Sequence, residues 1–137
     1  MKLVLDNNLP PALAAALNQL SMGQWGDDHQ VSHLRDRFPA NTPDTEWITA
    51  LSQEGGWTVV THDRFNKGQE REVLKRADIK VFLLDKSWTN QNFWAKAENL
   101  VRWWPAIVEQ AERIRGGAAF RVRWKFSGKG QFEQITL

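Results

Sequence analysis

Residues 1–20, MKLVLDNNLPPALAAALNQL, decide how the rest of the chain is read. Leu3, Val4 and Leu5 run straight into Asp6, and Asn7, Asn8 and Leu9 lead to two prolines that open an Ala- and Leu-rich segment. A short apolar run bounded by turn residues reads as a strand buried on both faces, of the kind found centrally in a parallel sheet. Asn8 is expected to cap the helix that follows. Pro10 and Pro11 would fall in its first turn, where missing N–H groups cost little. Leu9, Leu13, Leu17 and Leu20 are expected to form one inward stripe. Asp6 thus ends a central strand, at the edge where open α/β sheets bind ligands. Taken alone, it would sooner be a turn cap than a catalytic group.

A chain of 137 residues is expected to form a single domain with a substantial core. No stretch approaches a membrane span, and Met1-Lys2 leads into a strand rather than a signal sequence. Cysteine is absent, which excludes disulfides and thiolate metal sites and suits a cytoplasmic location. Residues 1–63 carry three basic and eight acidic side chains, a net −5, and residues 64–137 carry fifteen and eight, a net +7. Such asymmetry suits a cation at one half and a polyanion at the other, and equally two solvated faces of opposite sign.

Beyond the first helix, Gly23 to Asp28 reads as a polar break. HQVSHL (29–34) reads as a short strand on which His29 and His33 are both surface residues; their four-residue spacing would suit metal ligation only on a helix. LRDRFPANTP (34–43) is loop-like, and its Arg35 and Arg37 are candidates for phosphate contact. Thr42 and Pro43 are expected as N-cap and first residue of the next helix, with Trp47, Ile48 and Leu51 inward. Asp44 lies three and four residues before Trp47 and Ile48, so it shares their face, whereas Glu46 is rotated away. Gly55-Gly56 stops that helix. WTVVT (57–61) is a second buried strand, and His62-Asp63 ends it. QEREVLKRA (69–77) is a charged helix, and VFLL (81–84) is a third strand, which delivers Asp85, a weaker candidate for the same edge.

Phe93, Trp94, Ala97, Leu100, Val101, Trp104, Ile107, Val108, Ala111 and Ile114 repeat at helical spacing, a pattern of core packing rather than of a ligand site. Pro105 predicts a kink or two abutting helices there. Gly116-Gly117 ends the element. The tail reads as a β-hairpin: Phe120, Val122, Trp124 and Phe126 alternate with Arg121, Arg123 and Lys125, and residues 127–130 form the turn. Its row of cations, extended by Arg113, Arg115 and Lys129, would suit a nucleic-acid backbone, though a strand with one wet face has the same pattern.

Asp6, Asp44 and Asp63 come from separate elements and converge on one edge. Three such carboxylates raise one another's pKa unless a cation neutralises them. Oxygen-only ligation suits Mg²⁺ or Mn²⁺, which can activate water for attack on a phosphodiester. No nucleophile elbow, phosphate-binding glycine loop or dinucleotide fingerprint is present.

In this setting VLDNNLPPALAAAL, HLRDRF, DTEWITALSQEGG and VVTHDRF, in that order, resemble the pattern of PIN-like nuclease domains. The tryptophan-rich helix and terminal hairpin resemble PIN-like toxins of the VapC type. The resemblance implies a three-layer α/β/α fold with a central, mainly parallel sheet, a long C-terminal helix region and a terminal β-hairpin. Residues 1–86 would be the acidic core and 87–137 the helix and basic extension. It implies a Mg²⁺- or Mn²⁺-dependent endoribonuclease silenced by a protein antitoxin, with Asp6, Asp44 and Asp63 as catalytic and metal-binding residues. Asn7, Asn8, Glu46, Thr61, His62 and Arg64 are candidates to support that site or touch phosphate. Arg35, Arg37, Arg121, Arg123 and Lys125 are candidates to bind RNA. Relatives often carry Glu where this chain has Asn7, which removes a charge near the metal.

Two other readings compete. One is a PIN-like module that binds RNA or protein without cutting, favoured by Asn7. The other is a phosphoacceptor receiver domain using Asp63 and Lys86, which leaves Asp44, the aromatic helix and the basic hairpin unexplained. RNA, an antitoxin and a second copy of the chain are the partners in view; a membrane is not.

Overall fold

The computed structural model describes residues 1–63, 65, 68–128 and 130–136, so Arg64 and Lys129 lie outside the described residues. In chain order the elements are β1 (Lys2–Leu5), α1 (Pro11–Trp25), β2 (Gln30–His33), α2 (Asp44–Glu54), β3 (Trp57–Thr61), α3 (Gly68–Arg76), β4 (Lys80–Leu84), α4 (Phe93–Arg113), β5 (Ala118–Val122) and β6 (Glu133–Ile135). They build one six-stranded sheet in the order β2-β1-β3-β4-β5-β6. The first five strands are parallel to their neighbours, and β6 closes the edge antiparallel to β5.

Alternation along the strands sorts side chains into two cores. Leu3, Leu5, Val60, Phe82, Leu84, Phe120 and Val122 pack with Leu13 and Leu17 of α1 and Leu100, Trp103, Trp104 and Ile107 of α4. Val4, Val59, Val81 and Ala119 pack with Trp47, Ile48 and Leu51 of α2 and Leu74 of α3. The result is the expected α/β/α sandwich, with α1 and α4 on one face and α2 and α3 on the other. From β1 the chain turns first to β2 on one side and then to β3 on the other. The β1/β3 gap is therefore the topological switch point, where ligands enter open α/β sheets. A hydrogen bond from Asp6 N–H to Val60 O (3.0 Å) carries the β1–β3 pairing one residue past the end of β1.

Several local expectations are corrected. Asn8 is exposed and caps nothing, because α1 begins at Pro11 with Pro10 as N-cap. A cap at Asn8 would have to serve the N–H of residue 10 or 11, and prolines have none. Thr42 likewise donates its hydroxyl to Pro39 O (2.7 Å), and α2 starts at Asp44 behind Pro43. The α1 stripe passes from Leu17 to Ser21, not Leu20, which is 53% exposed. Trp104 Nε1–H donates to Ser21 Oγ (2.9 Å), so the indole selects a polar partner inside. The supposed break at Gly23 is helical as far as Trp25, and Gly26 turns the chain at φ 65°.

α4 runs unbroken from Phe93 to Arg113 with Pro105 inside it, so two abutting helices are excluded. In the terminal hairpin, β5 ends at Val122, short of Trp124 and Phe126, and its other side pairs with β4. The largest correction concerns the histidines. His29 and His33 are both buried: His29 pairs with Glu112 (2.7 Å) and meets Trp25 edge-on. β2 is an edge strand, but α1 packs over its apolar face and covers Val31 and His33 together.

Candidate functional site

Parity along two neighbouring strands assembles the site. In β1, Leu3 and Leu5 face α1 and α4, so the next side chain on the α2/α3 side after Val4 is Asp6. In β3, Val60 faces α1 and α4 and Thr61 faces the other way. Asp6 and Thr61 therefore meet: the Thr61 hydroxyl donates to Asp6 Oδ2 (2.6 Å), and the Asn7 N–H donates to Oδ1 (2.6 Å). Asp6 is only 4% exposed. The Thr61 hydroxyl also accepts from the Asp63 N–H (2.8 Å), so one buried hydroxyl links the two strand-end aspartates.

The third carboxylate arrives on α2. Asp44, half-buried at the first helical residue, accepts a hydrogen bond from Trp47 Nε1–H (2.8 Å). Asp63 Oδ1 accepts from the Phe65 N–H (2.9 Å), and the Phe65 ring packs against Trp47 (6.3 Å between centroids). Phe65 holds φ 49°, a left-handed conformation costly for a bulky side chain, in the turn that follows Asp63. Trp47 and Phe65 thus form an apolar floor to which Asp44 and Asp63 are both tied.

Burial pushes the Asp6 carboxyl above its ordinary value; the bonds from Thr61 and Asn7 pull it down, and the charges of Asp44 and Asp63 push it up again. Asp44 and Asp63 thus both act on Asp6. Asp85 is not among the charges acting on Asp6; it accepts the Ser87 N–H (3.0 Å) and caps the turn over Lys86–Asn90.

Among the described residues, no group of three or more His, Asp or Glu side chains is drawn close enough to grip a metal ion as it stands. Each aspartate is instead held by its own neighbouring donors. The donor set nevertheless fits Mg²⁺ or Mn²⁺ in kind. All three are hard carboxylate oxygens, one is buried and disfavoured as a lone charge, and Mg²⁺ is commonly held through one or two carboxylates while keeping its waters.

The remaining candidates separate. Arg35 is exposed and donates to Asn7 O (3.3 Å), which sets its guanidinium beside the acidic edge. Asn7 also reaches Ala40 O through Nδ2 (3.4 Å), while its buried Oδ1 finds no hydrogen-bond partner among the described residues. Arg37 is not at this edge: it pairs with Glu54, at the end of α2, and lies over Trp57, at the amino end of β3. Glu46 is exposed, as expected. His62 follows Thr61 and so faces the α1/α4 side, away from the carboxylates. Burial first, and the charge of Lys96 second, push its pKa down to about 4. Arg121 and Arg123 both bond Glu133 (3.1 and 3.2 Å), so much of the basic row is already paired, while Lys125 is exposed.

Gln69 and Glu70 went unrecognised in the sequence. They line a cavity of about 400 Å³ with Thr42, Pro43, Asp44 and Thr45. No spacing rule marks a glutamate in a charged helix as the neighbour of Asp44; only the packing of α2 against α3 does so.

A mostly parallel α/β/α sheet with a buried aspartate at its switch point defines an open α/β scaffold whose ligands enter at that edge. The chain belongs to the PIN-like domain family: the family described as PIN like domain matches residues 1–86. Domains of that family are commonly nucleases. No curated protein and no solved structure matches the chain. Among the described residues no helix is long and apolar enough to cross a membrane.

Proposed function

We propose that this chain is a Mg²⁺- or Mn²⁺-dependent endoribonuclease, the cytoplasmic toxin of a toxin–antitoxin pair. The observation that carries the reading is the buried Asp6 at the switch point, subject to the charges of Asp44 and Asp63. These three would hold the cation. When bound, such an ion lowers the pKa of a water ligand and offsets the charge that develops on the phosphodiester. The chain's own residues prepare that chemistry. Thr61 fixes the direction of Asp6 and Trp47 that of Asp44, while the Asn7 N–H favours the ionised form of Asp6. Arg35 offers its remaining N–H donors to a phosphate. Lys125, with Arg121 on β5 and Arg123 just beyond it, would add salt-dependent attraction for RNA. An apolar groove of about 330 Å³ between α1 and α4, lined by Leu17, Leu20, Val101 and Trp104 among others, suits a helix of an antitoxin.

The test joins binding to cleavage. Mn²⁺ at about one hundred times its Kd should stabilise the wild-type fold by about 2.7 kcal/mol in thermal unfolding. Asp6→Asn should lose that gain and cleave RNA about a hundredfold more slowly or worse, with its fold intact by circular dichroism. Undiminished Mn²⁺-dependent cleavage by Asp6→Asn would sink the assignment. A second reading, an RNA- or protein-binding PIN-like module that does not cut, draws on the spacing of the carboxylates and on Asn7. RNA bound but uncut across Mg²⁺ and Mn²⁺ titrations would favour it.

A further inference from the structure

His33 is a buried polar side chain near the acidic edge with both ring nitrogens hydrogen-bonded, and the cation chemistry proposed for the site assigns it nothing. It ends β2, pairs in register with Leu5, and is 1% exposed. The Arg35 N–H donates to Nδ1 (3.1 Å), so that nitrogen is an acceptor and the ring proton sits on Nε2. Nε2–H then donates to Leu9 O (2.7 Å). The His33 N–H itself donates to Asp36 Oδ2 (2.9 Å), which pins the backbone behind the ring. A neutral imidazole in this single tautomer therefore bridges two turns of the carboxyl edge, the one leaving β1 and the one leaving β2.

Both turns reach Asp6. The Leu9 N–H donates to Asp6 O (3.0 Å), and the Asn7 N–H donates to the Asp6 carboxylate (2.6 Å). From the other side, the Arg35 guanidinium donates to Asn7 O (3.3 Å). The hydrogen bonds close a ring that runs Asp6, Asn7, Arg35, His33, Leu9 and back to Asp6. Without the imidazole, Leu9 O would lose its partner in a buried contact, and the Arg35 N–H would lose its acceptor in a part-buried turn, the first being the more unfavourable.

We propose that His33 is a positioning residue of this site: its Nε2–H tautomer holds the Asp6–Leu9 turn and Arg35 in one arrangement, so that the carboxylate and the phosphate-facing cation are set together. The proposal rests on the reading of Asp6 as a working carboxylate.

Two substitutions separate the two arms. His33→Asn keeps an acceptor near the Nδ1 position and loses the donor to Leu9; His33→Gln keeps a donor that can reach Leu9 O and loses the acceptor. Native-state amide exchange is the first readout. In His33→Asn, exchange at Asn7 and Leu9 should rise about tenfold, with Arg35 and β3 amides such as Val59 unchanged. In His33→Gln, Arg35 should rise and Asn7 and Leu9 should hold. Nitrogen NMR of the wild-type ring should show the proton on Nε2. In Mn²⁺-dependent RNA cleavage, His33→Asn should lower kcat at steady KM, and His33→Gln should recover part of it. Exchange that changes evenly throughout the protein, or not at all, or a ring protonated on Nδ1, would overturn the proposal. Should the wild type neither bind Mn²⁺ nor cut RNA while the exchange pattern holds, the nuclease reading fails and the positioning by His33 stands.

Discussion

Thr61 and His62 are chain neighbours, and the pleat sends them to opposite faces of the sheet. Thr61 reaches Asp6, whereas His62 lies on the α4 side near Lys96 with its Nε2 buried and without a hydrogen-bond partner among the described residues. That placement has a pH signature. An unfolded His62 takes up a proton near its ordinary 6.5, and the folded one resists until about 4. Between those values the unfolded state binds more protons, so stability present above 6.5 is lost as pH falls towards 4. Asp6 contributes with the opposite sign. Its raised pKa lets the folded state hold a proton that the unfolded one has released, so stability falls as pH rises above 3.8. In urea titrations across this range, His62→Gln should remove the acid-side loss. An unchanged slope would assign the loss to another group. Residue identity alone could not separate Thr61 from His62 in role; strand parity does.

At the scale of elements, α4 carries a contradiction inside it. Its buried face, Leu100, Trp103, Trp104, Ile107, Val108 and Ala111, keeps the helical spacing the apolar residues predict, but it takes in Trp103, which the expected stripe left out, and leaves Phe93, Trp94 and Val101 of that stripe exposed. Pro105 sits on the exposed side of the same helix and removes the N–H that would bond Val101 O. The helix continues because its packing against the sheet outweighs one lost hydrogen bond. Pro105→Ala should therefore raise stability by about 1–3 kcal/mol in chemical denaturation, and a loss would mean that the proline shapes the helix for packing. The terminal strands teach a related lesson. Alternation made Arg121, Arg123 and Lys125 look like a free cationic row, but Glu133 on β6 engages the two arginines. That pairing depends on how β5 and β6 lie side by side.

For the molecule as a whole, the family match ends at residue 86 and the fold does not. β5 pairs with β4 from Lys80↔Ala118 to Leu84↔Val122, and α4 covers the face formed by Leu3, Leu5, Val60 and Phe82. Each such side chain left in water forfeits roughly 1.5–3 kcal/mol, in sum comparable to a domain's whole net stability. Residues 1–86 expressed alone should accordingly show no cooperative thermal transition by circular dichroism, and the whole chain should show one. A cooperative transition in the fragment would make residues 87–137 a separable addition.

Local pattern was enough to determine the strands that end at Asp6 and Asp63, the inward turn of Asp44 and the α/β/α class. Those features follow from apolar runs, helix periodicity and turn residues acting over a few positions. Only the tertiary structure decided which groups share the site. His33 is buried because α1 lies over β2, and Arg37 leaves the acidic edge because Glu54 and Trp57 hold it at the far end. Glu70 comes beside Asp44 because α3 packs against α2. Contacts of that kind join residues distant in sequence, and their free energy depends on burial and geometry, quantities that exist only once the chain has folded.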